Sequence, residues 1–594
     1  MESKARKEMN PAFMWDLTPI FESEAAWEAA YARAESAVKA LEALPGTLSK
    51  SEAALADGLK RIYAAEEQVE RVYSYAFLTK AGDNGEPRSQ EMEARAISLF
   101  VALETATAFV SPEILSIPAE QMDAWMKQDC LKPYRHMLED TLRSRAHTLD
   151  EQGERLLAML GDVAQVPGNT FELFESVDLT FPSVKDEAGE EAPLTHGSFT
   201  VFRESRDGRV RREAFEKYFD GYAKFVNTLS GIYGGAVKLD CFNAAARSFP
   251  GACEAALFAN NVPVSLYDGL IETVHGALPT MREYLALRKK ALGVEELHLY
   301  DLYTPMVDEV EFDMPYEKAQ ALVLEALAPL GEEYAGLLKR AFAEHWIDVY
   351  ENKGKSTGAF SSGVYGVHPY VMLNYANKLD DAFTLAHELG HSMHSFFSDR
   401  AQDYPNHDYR IFVAEVASTV NEVLLTRHLL RVETDAKRRA YILNHFLEGF
   451  RTTVFRQTLF AEFERKSHAL YQQGTPLTAQ TLNTVFHDLN ALYYDGAVID
   501  DFMDVEWARI PHFYNAFYVY QYATGFSSAV AIADNILNHG GAEQYLKFLS
   551  TGGSDYPIEE LKLAGVDLTK HDALEAAMQA FRQALEEFRQ VLGG

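Results

Sequence analysis

The chain has 594 residues, 47% hydrophobic and 12% aromatic, with a formal net charge of −33. Its length exceeds one simple core, so two or more subdomains are expected. The charge repels nucleic acid and anionic lipid and excludes both as partners; the surface is either plainly solvated or has acidic walls that attract basic substrates.

Cys130, Cys241 and Cys253 are far apart, odd in number and without a CxxC pair, which excludes a disulfide framework and fits a reducing compartment. The opening "MESKARKEMNPAFMWDL" has no apolar signal core and no cleavage site, and no run reaches the length of a membrane span. A soluble cytoplasmic protein is expected, with no membrane partner and no oligomeric state implied.

In chain order, "SEAAWEAAYARAESAVKALEAL" (23–44) opens on a Ser cap and repeats apolar residues at helical spacing. Similar patterns recur near 51–80, 88–110 and 150–161, with breaks at "LPG" (44–46) and "DNGEP" (83–87). A bundle or long antiparallel hairpins are expected. Between 177 and 202, "VDLTFPSV" and "LTHGSFTVF" read as two strands around a polar turn. The expected division is an N-terminal helical domain, 1–200, ending in that β-hairpin, and a catalytic domain, 201–594. Further on, Tyr370 to Tyr375 reads as a strand and Lys378 to Asp381 as a turn, with Asp380 or Asp381 capping the next helix. The last helix ends at Gly593 and Gly594.

The helix capped there contains "AHELGHSMHS" (386–395). On a wheel its apolar residues form a back and its histidines a front. His387 and His391, one turn apart, can direct two imidazoles at one zinc ion, and Glu388 lies beside them within reach of a water there. Chance alone produces an H-E-x-x-H somewhere in this composition with probability roughly 0.05, so a third ligand must strengthen the reading. Gly390 is costly inside a helix and implies a close neighbour at the metal face. His391 and His394 form a rival pair but lack the following glutamate; His394 reads as a packing or supporting histidine. Candidates for the third ligand are Asp399, Asp403, His407, Glu415 and Glu422. Glu415 is preferred, because its apolar setting "FVAEVA" demands a partner. Glu422, two turns on, is read as orienting a histidine.

"HELGHSMH" followed by "FVAEVAST" resembles the thimet-oligopeptidase-like zinc metallopeptidases, closest to their oligoendopeptidase F branch. "MWDLTPIFESEAAWE", "RIPHFYNAFYVYQYATG" (509–525) and "STGGSDYPIEELKLAGVD" (550–567) extend the resemblance over nearly the whole chain. It implies a mainly α, two-lobed zincin-type metallopeptidase with a deep channel, a small β element beside the catalytic helix and one Zn2+ per chain. It also implies hydrolysis of internal bonds in short unstructured peptides, with Glu388 as general base. "HPYVMLNY" would be the edge strand to which substrate adds. His512 and a tyrosine would stabilise the tetrahedral intermediate. "FYVY" (517–520) stands where related enzymes carry Tyr-Tyr-x-Tyr: Tyr520 matches, Phe517 departs, and Tyr514 and Tyr518 both stay open as the second tyrosine. The alternatives are a peptidyl-dipeptidase or carboxypeptidase of the same superfamily, or a metal-binding protein without activity.

Overall fold

The computed structural model describes residues 4–308, 310 and 312–593. The chain is mainly helical, with five short strands among the described residues: β1 (Val184–Lys185), β2 (Glu191–Ala192), β3 (Ile347–Asp348), β4 (Phe360–Ser362) and β5 (Tyr370–Met372). It forms two compact units, each built from separated stretches. The first comprises Met1–Arg145, Glu311–Leu429 and Ile532–Val566; the second comprises Ala146–Val310, Leu430–Ala531 and Asp567–Gly594. Residue 200 therefore falls inside a stretch of the second unit, because packing follows contacts between distant stretches rather than chain order.

In the first unit, α1 (Glu24–Ala40), α2 (Glu52–Gly82) and α3 (Pro87–Thr107) realise the first three expected helices. Ser23 and Ser51 cap α1 and α2, their hydroxyls accepting the amides of Ala26 and Ala54 at 3.2 Å. Trp27, Val69, Val72, Met92 and Leu99 fill the core between the three helices. One expectation fails here. The helical stretch Pro87–Ser116 is long and apolar enough to cross a membrane by length and composition, with mean hydropathy 1.4 and only 17% of its window buried. Its apolarity is spread over Ala and β-branched residues mixed with Ser and Thr, so no unbroken run marks it.

The sheet of this unit has the order β3-β5-β4, parallel between β3 and β5 and antiparallel between β4 and β5. The stretch "HPYVMLNY" is thus the centre of the sheet and not an edge: both sides of β5 are hydrogen-bonded, and β4 is the half-buried edge. Asp348 of β3 anchors the layer through buried ion pairs with Arg6 and with Lys355, the latter at 2.7 Å.

Next come α4 (Leu379–Ala401) and α5 (Ile411–Val432). The cap of α4 differs from expectation. Lys378 is the capping position, and Asp381, in the first turn, reaches back to accept the amides of Lys378 (2.8 Å) and Ala376 (2.9 Å). The late stretch Ile532–Val566 packs behind both helices: the Tyr545 hydroxyl donates to the Ala417 carbonyl at 3.4 Å, and the Phe548 ring lies 5.2 Å from that of His394.

In the second unit, β1 and β2 pair antiparallel, Val184 opposite Ala192, but β2 falls within the stretch expected to be the turn. The expected second strand, "LTHGSFTVF", contains instead a helix, His196–Phe202, because the Thr195 hydroxyl accepts the Ser198 amide at 3.0 Å and starts one. The core is aromatic, with Phe181 and Phe199 stacked on Tyr218, and Phe463 on Trp507 and Phe513. In this unit α6 (Arg456–Gln472) holds the tyrosine-rich segment in place; α7 (Tyr520–His539) begins in that segment, and its residues from Ile532 onward belong to the first unit. The last helix ends at Val591; Gly594 lies outside the described residues.

Candidate active site

The close neighbour that Gly390 implies is the backbone of α5. A methyl group at Gly390 would lie 2.5 Å from Ser418 Cα and 2.7 Å from the Ala417 carbonyl oxygen. The missing side chain lets α4 and α5 touch, and that contact brings Glu415 to the histidine face of α4. His387 Nε2 and His391 Nε2 lie 3.2 Å apart, and Glu415 Oε2 is 3.5 Å from the first and 3.7 Å from the second. These three residues alone, among the described residues, form a group able to hold a metal ion. Glu415 is 49% exposed on its side chain, so the buried setting expected from "FVAEVA" is not what it has. It projects from α5 toward the open side while its neighbours Val413 and Val416 are buried.

The other ring nitrogens decide what the site wants. His387 Nδ1 lies 2.5 Å from Glu422 Oε1, and His391 bonds the Ala414 backbone. At this separation one Nε2 can hydrogen-bond the other when a proton lies between them, and both can turn their lone pairs to a metal ion when it does not. Zinc ligands at about 2.0–2.1 Å in a tetrahedron stand about 3.3–3.4 Å apart, close to the three separations here. The donor set and its spacing fit zinc. Glu422 takes the orienting position expected of it.

Glu388 is 6% exposed. Burial first, and then the charges of Glu415 and Glu422, push its carboxyl up to about 7 against the opposing pull of His387. A carboxyl poised there exchanges protons at neutral pH. His394 faces away from the donors. It is fully buried, stacked on Tyr409 with centroids 3.6 Å apart, and burial pulls it down to about 3. It is a packing histidine.

The remaining candidates, Asp399 at the end of α4 and Asp403 and His407 after it, do not reach the donors either. Asp399 lies 3.1 Å from His407 Nδ1, and Glu70 of α2 lies 3.6 Å from His407 Nε2. Burial opposes charge on His407, but both carboxylates outweigh it and raise the ring to about 10. Asp403 precedes the short turn Tyr404–Asn406 and is exposed. This network borders a cavity of about 710 Å3 in the first unit. The cavity runs past Glu66 and Glu70 of α2, Ser361 of β4 and Ser395 of α4 to Ala414, the neighbour of Glu415. Burial and Glu70 push Glu66 up to about 7.

The tyrosine-rich segment lies in the second unit. Phe517 has φ +57°, the left-handed region that an aromatic residue rarely adopts. Its ring is buried against His468, 4.6 Å away, and Tyr267. The departure from tyrosine thus falls on an inward-facing position. Tyr520 is 1% exposed and packs on Tyr267; Tyr514 stacks on Phe171 at 4.7 Å. The tyrosines that flank His512 are Tyr522, whose hydroxyl lies 3.4 Å from His512 Nε2, and Tyr518, whose ring stands 5.5 Å from that of Tyr522. Tyr522 escapes sequence reasoning. The signal available was its spacing of four from Tyr518 at the start of a helix. Desolvation holds His512 below its ordinary pKa, so its imidazole is neutral at pH 7.

Residues 201–580 match the model of Peptidase family M3, and residues 113–181 that of Oligopeptidase F. The chain belongs to peptidase family M3. Within family M3 it sits in the oligoendopeptidase F branch and is a metalloendopeptidase acting on peptides. It is 44% identical to Oligopeptidase PepF of Bacillus subtilis, covering 99% of this chain and 88% of that protein. It is 40% identical to an Oligoendopeptidase F homolog of Lactococcus lactis, covering 99% of each. The crystal structure of oligoendopeptidase-F from Enterococcus faecium superposes with a TM-score of 0.74 at 38% identity, over 95% of this chain and 98% of that one.

Proposed function

We propose that the protein is a zinc-dependent oligoendopeptidase that hydrolyses internal bonds of short unstructured peptides. The observation that carries this is the pair of imidazole nitrogens 3.2 Å apart, with the Glu415 carboxylate beside them and Glu388 next along the helix. His387, His391 and Glu415 would hold the ion, and Glu422 fixes the tautomer of His387. When bound, zinc supplies Lewis acidity, lowering the pKa of water and polarising a carbonyl.

The chain's own groups do the rest. Glu388 takes the proton of the attacking water at a carboxylate oxygen and delivers it to the leaving amine nitrogen. His512 and Tyr522, or Tyr518 next to it, donate hydrogen bonds to the developing oxyanion. The neutral state of His512 suits it as a donor without competing for the proton. Tyr520, matched from the sequence, and Tyr514, one of the two left open there with Tyr518, are less suited, since both rings are packed against neighbours. β4, as the edge strand, would take the extended substrate backbone in place of β5. The names of the bacterial relatives support internal cleavage of short peptides. All three cysteines are free, which suits a cytoplasmic setting.

The test is an internally quenched peptide with both termini blocked, offered to the protein as purified, after chelation, and after restoring one equivalent of zinc. Cleavage that vanishes and returns supports the proposal. Cleavage only of peptides with a free carboxyl terminus would instead mean a carboxypeptidase or peptidyl-dipeptidase, and zinc binding without cleavage a non-enzyme.

A further inference from the structure

A buried carboxyl group in the second unit has no part in the chemistry above. Glu464 of α6 is fully buried. Its Oε1 accepts the backbone amide of Phe517 at 2.9 Å, and its Oε2 has no partner among the described residues. The amide it holds belongs to the residue with φ +57°. Around that point the segment alternates: Phe513, Phe517, Val519 and Tyr520 are buried, while His512, Tyr518 and Tyr522 are not. A residue in the left-handed region persists only where its surroundings over-determine it. Two things do so here, the ring seated on His468 and Tyr267, and the amide bond to Glu464.

We propose that Glu464 is a positioning residue for the reaction: by holding the Phe517 amide it fixes the turn that presents Tyr518, Tyr522 and His512 on one face. The inference rests on the reading that these groups assist the oxyanion. Burial pushes the Glu464 carboxyl well above its usual range, opposed by the Phe517 amide, and its Oε1 serves as the hydrogen-bond acceptor. A glutamine reproduces that acceptor; a leucine keeps the bulk and removes it.

The experiment compares Glu464→Gln and Glu464→Leu with the unaltered full-length enzyme. It measures steady-state kinetics on the blocked peptide and amide hydrogen exchange over residues 511–520. In Glu464→Leu, exchange in this segment should rise and kcat fall about 10–100-fold, the scale of small misplacements of reacting groups, with KM nearly constant. Glu464→Gln should restore both. Unchanged exchange or unchanged kcat in the leucine variant overturns the proposal, and so does a glutamine variant as poor as leucine. Should the leucine variant not fold, exchange at Phe517 in the unaltered enzyme decides. An amide about 100-fold slower than in an unstructured peptide supports the anchor, and one at the free rate overturns it. The underlying reading is tested apart: His512→Ala and Tyr522→Phe at full kcat would remove it, whatever the exchange over 511–520 reports about Glu464.

Discussion

A carboxyl group that sits near neutrality in a site 6% exposed accepts and releases protons at little cost. Replacing Glu388 by Gln keeps its shape and removes its basicity. Zinc content should stay near one per chain while turnover falls about 10²–10⁴-fold, the range for one general base; metal analysis beside a peptide assay checks both, and retained activity would end Glu388's role as proton carrier. Glu415→Ala should lose zinc. Asp399→Ala should keep it, because Asp399 is engaged with His407 and not with the donors. Full zinc occupancy in Glu415→Ala would move the third ligand elsewhere. His387, Glu388 and His391 could be placed together from the sequence because helical spacing sets them one turn apart on one helix; Glu415 and Glu422 lie on another helix, and the apolar setting that singled out Glu415 is not the one it has. The tyrosines could not be placed. Which of four faces His512 depends on one left-handed residue in an irregular stretch, and no periodicity reports that.

Helix crossing sets the donor geometry. In Gly390→Ala the added methyl would meet Ser418 Cα and the Ala417 oxygen, which are backbone and cannot swing away. The helices must separate, at a cost of about 1–3 kcal/mol for overpacking, partly offset by alanine's better helix propensity of about 1 kcal/mol. Zinc affinity should fall further than stability, since Glu415 rides on the displaced helix; chelator competition and thermal melts separate the two effects.

A second link joins α2 to α4 and the loop after it through Glu70, His407 and Asp399. His407 is raised to about 10 by these carboxylates, against burial. A histidine raised in the folded state contributes stability that is fully present below its unfolded value, about 6.5, and is lost as pH rises through about 10. His407→Gln should therefore lower the melting point most at pH 7 and below, by an amount corresponding to at most about 3–5 kcal/mol, and the gap should close toward pH 10. A gap that widens with pH would contradict the assignment. Glu66, facing the same cavity, adds to the loss of stability as pH rises, since its raised carboxyl must ionise in place. Among the elements themselves, β5 was legible as a strand, a short apolar run buried throughout, but its central place was not. Pairing with β3 and β4 joins stretches that carry no mark of one another.

The cavity that reaches Ala414, next to Glu415 in the chain, is about 710 Å3, walled in part by α2, and has room for a few side chains and not a folded domain. A reactive peptide should be cut freely in solution and inside a long disordered host. It should survive inside a stable folded host, whose unfolding would cost about 5–15 kcal/mol. Equal rates in the folded host and the free peptide would show that access is not limited in this way. The alternation of six chain stretches between two units was invisible in the sequence, since contacts between distant stretches leave no local mark.

That alternation has a consequence for biosynthesis. The metal donors of α4 and α5 leave the ribosome long before Ile532–Val566, the stretch that closes behind them with Tyr545 and Phe548. At about 5–20 residues per second, the donor helices wait on the order of ten seconds for that backing. The order of translation thus acts as a timer: a nascent chain carries its candidate metal ligands well before the stretch that packs behind them, and a product ending short of residue 532 should show no peptidase activity in a blocked-peptide assay.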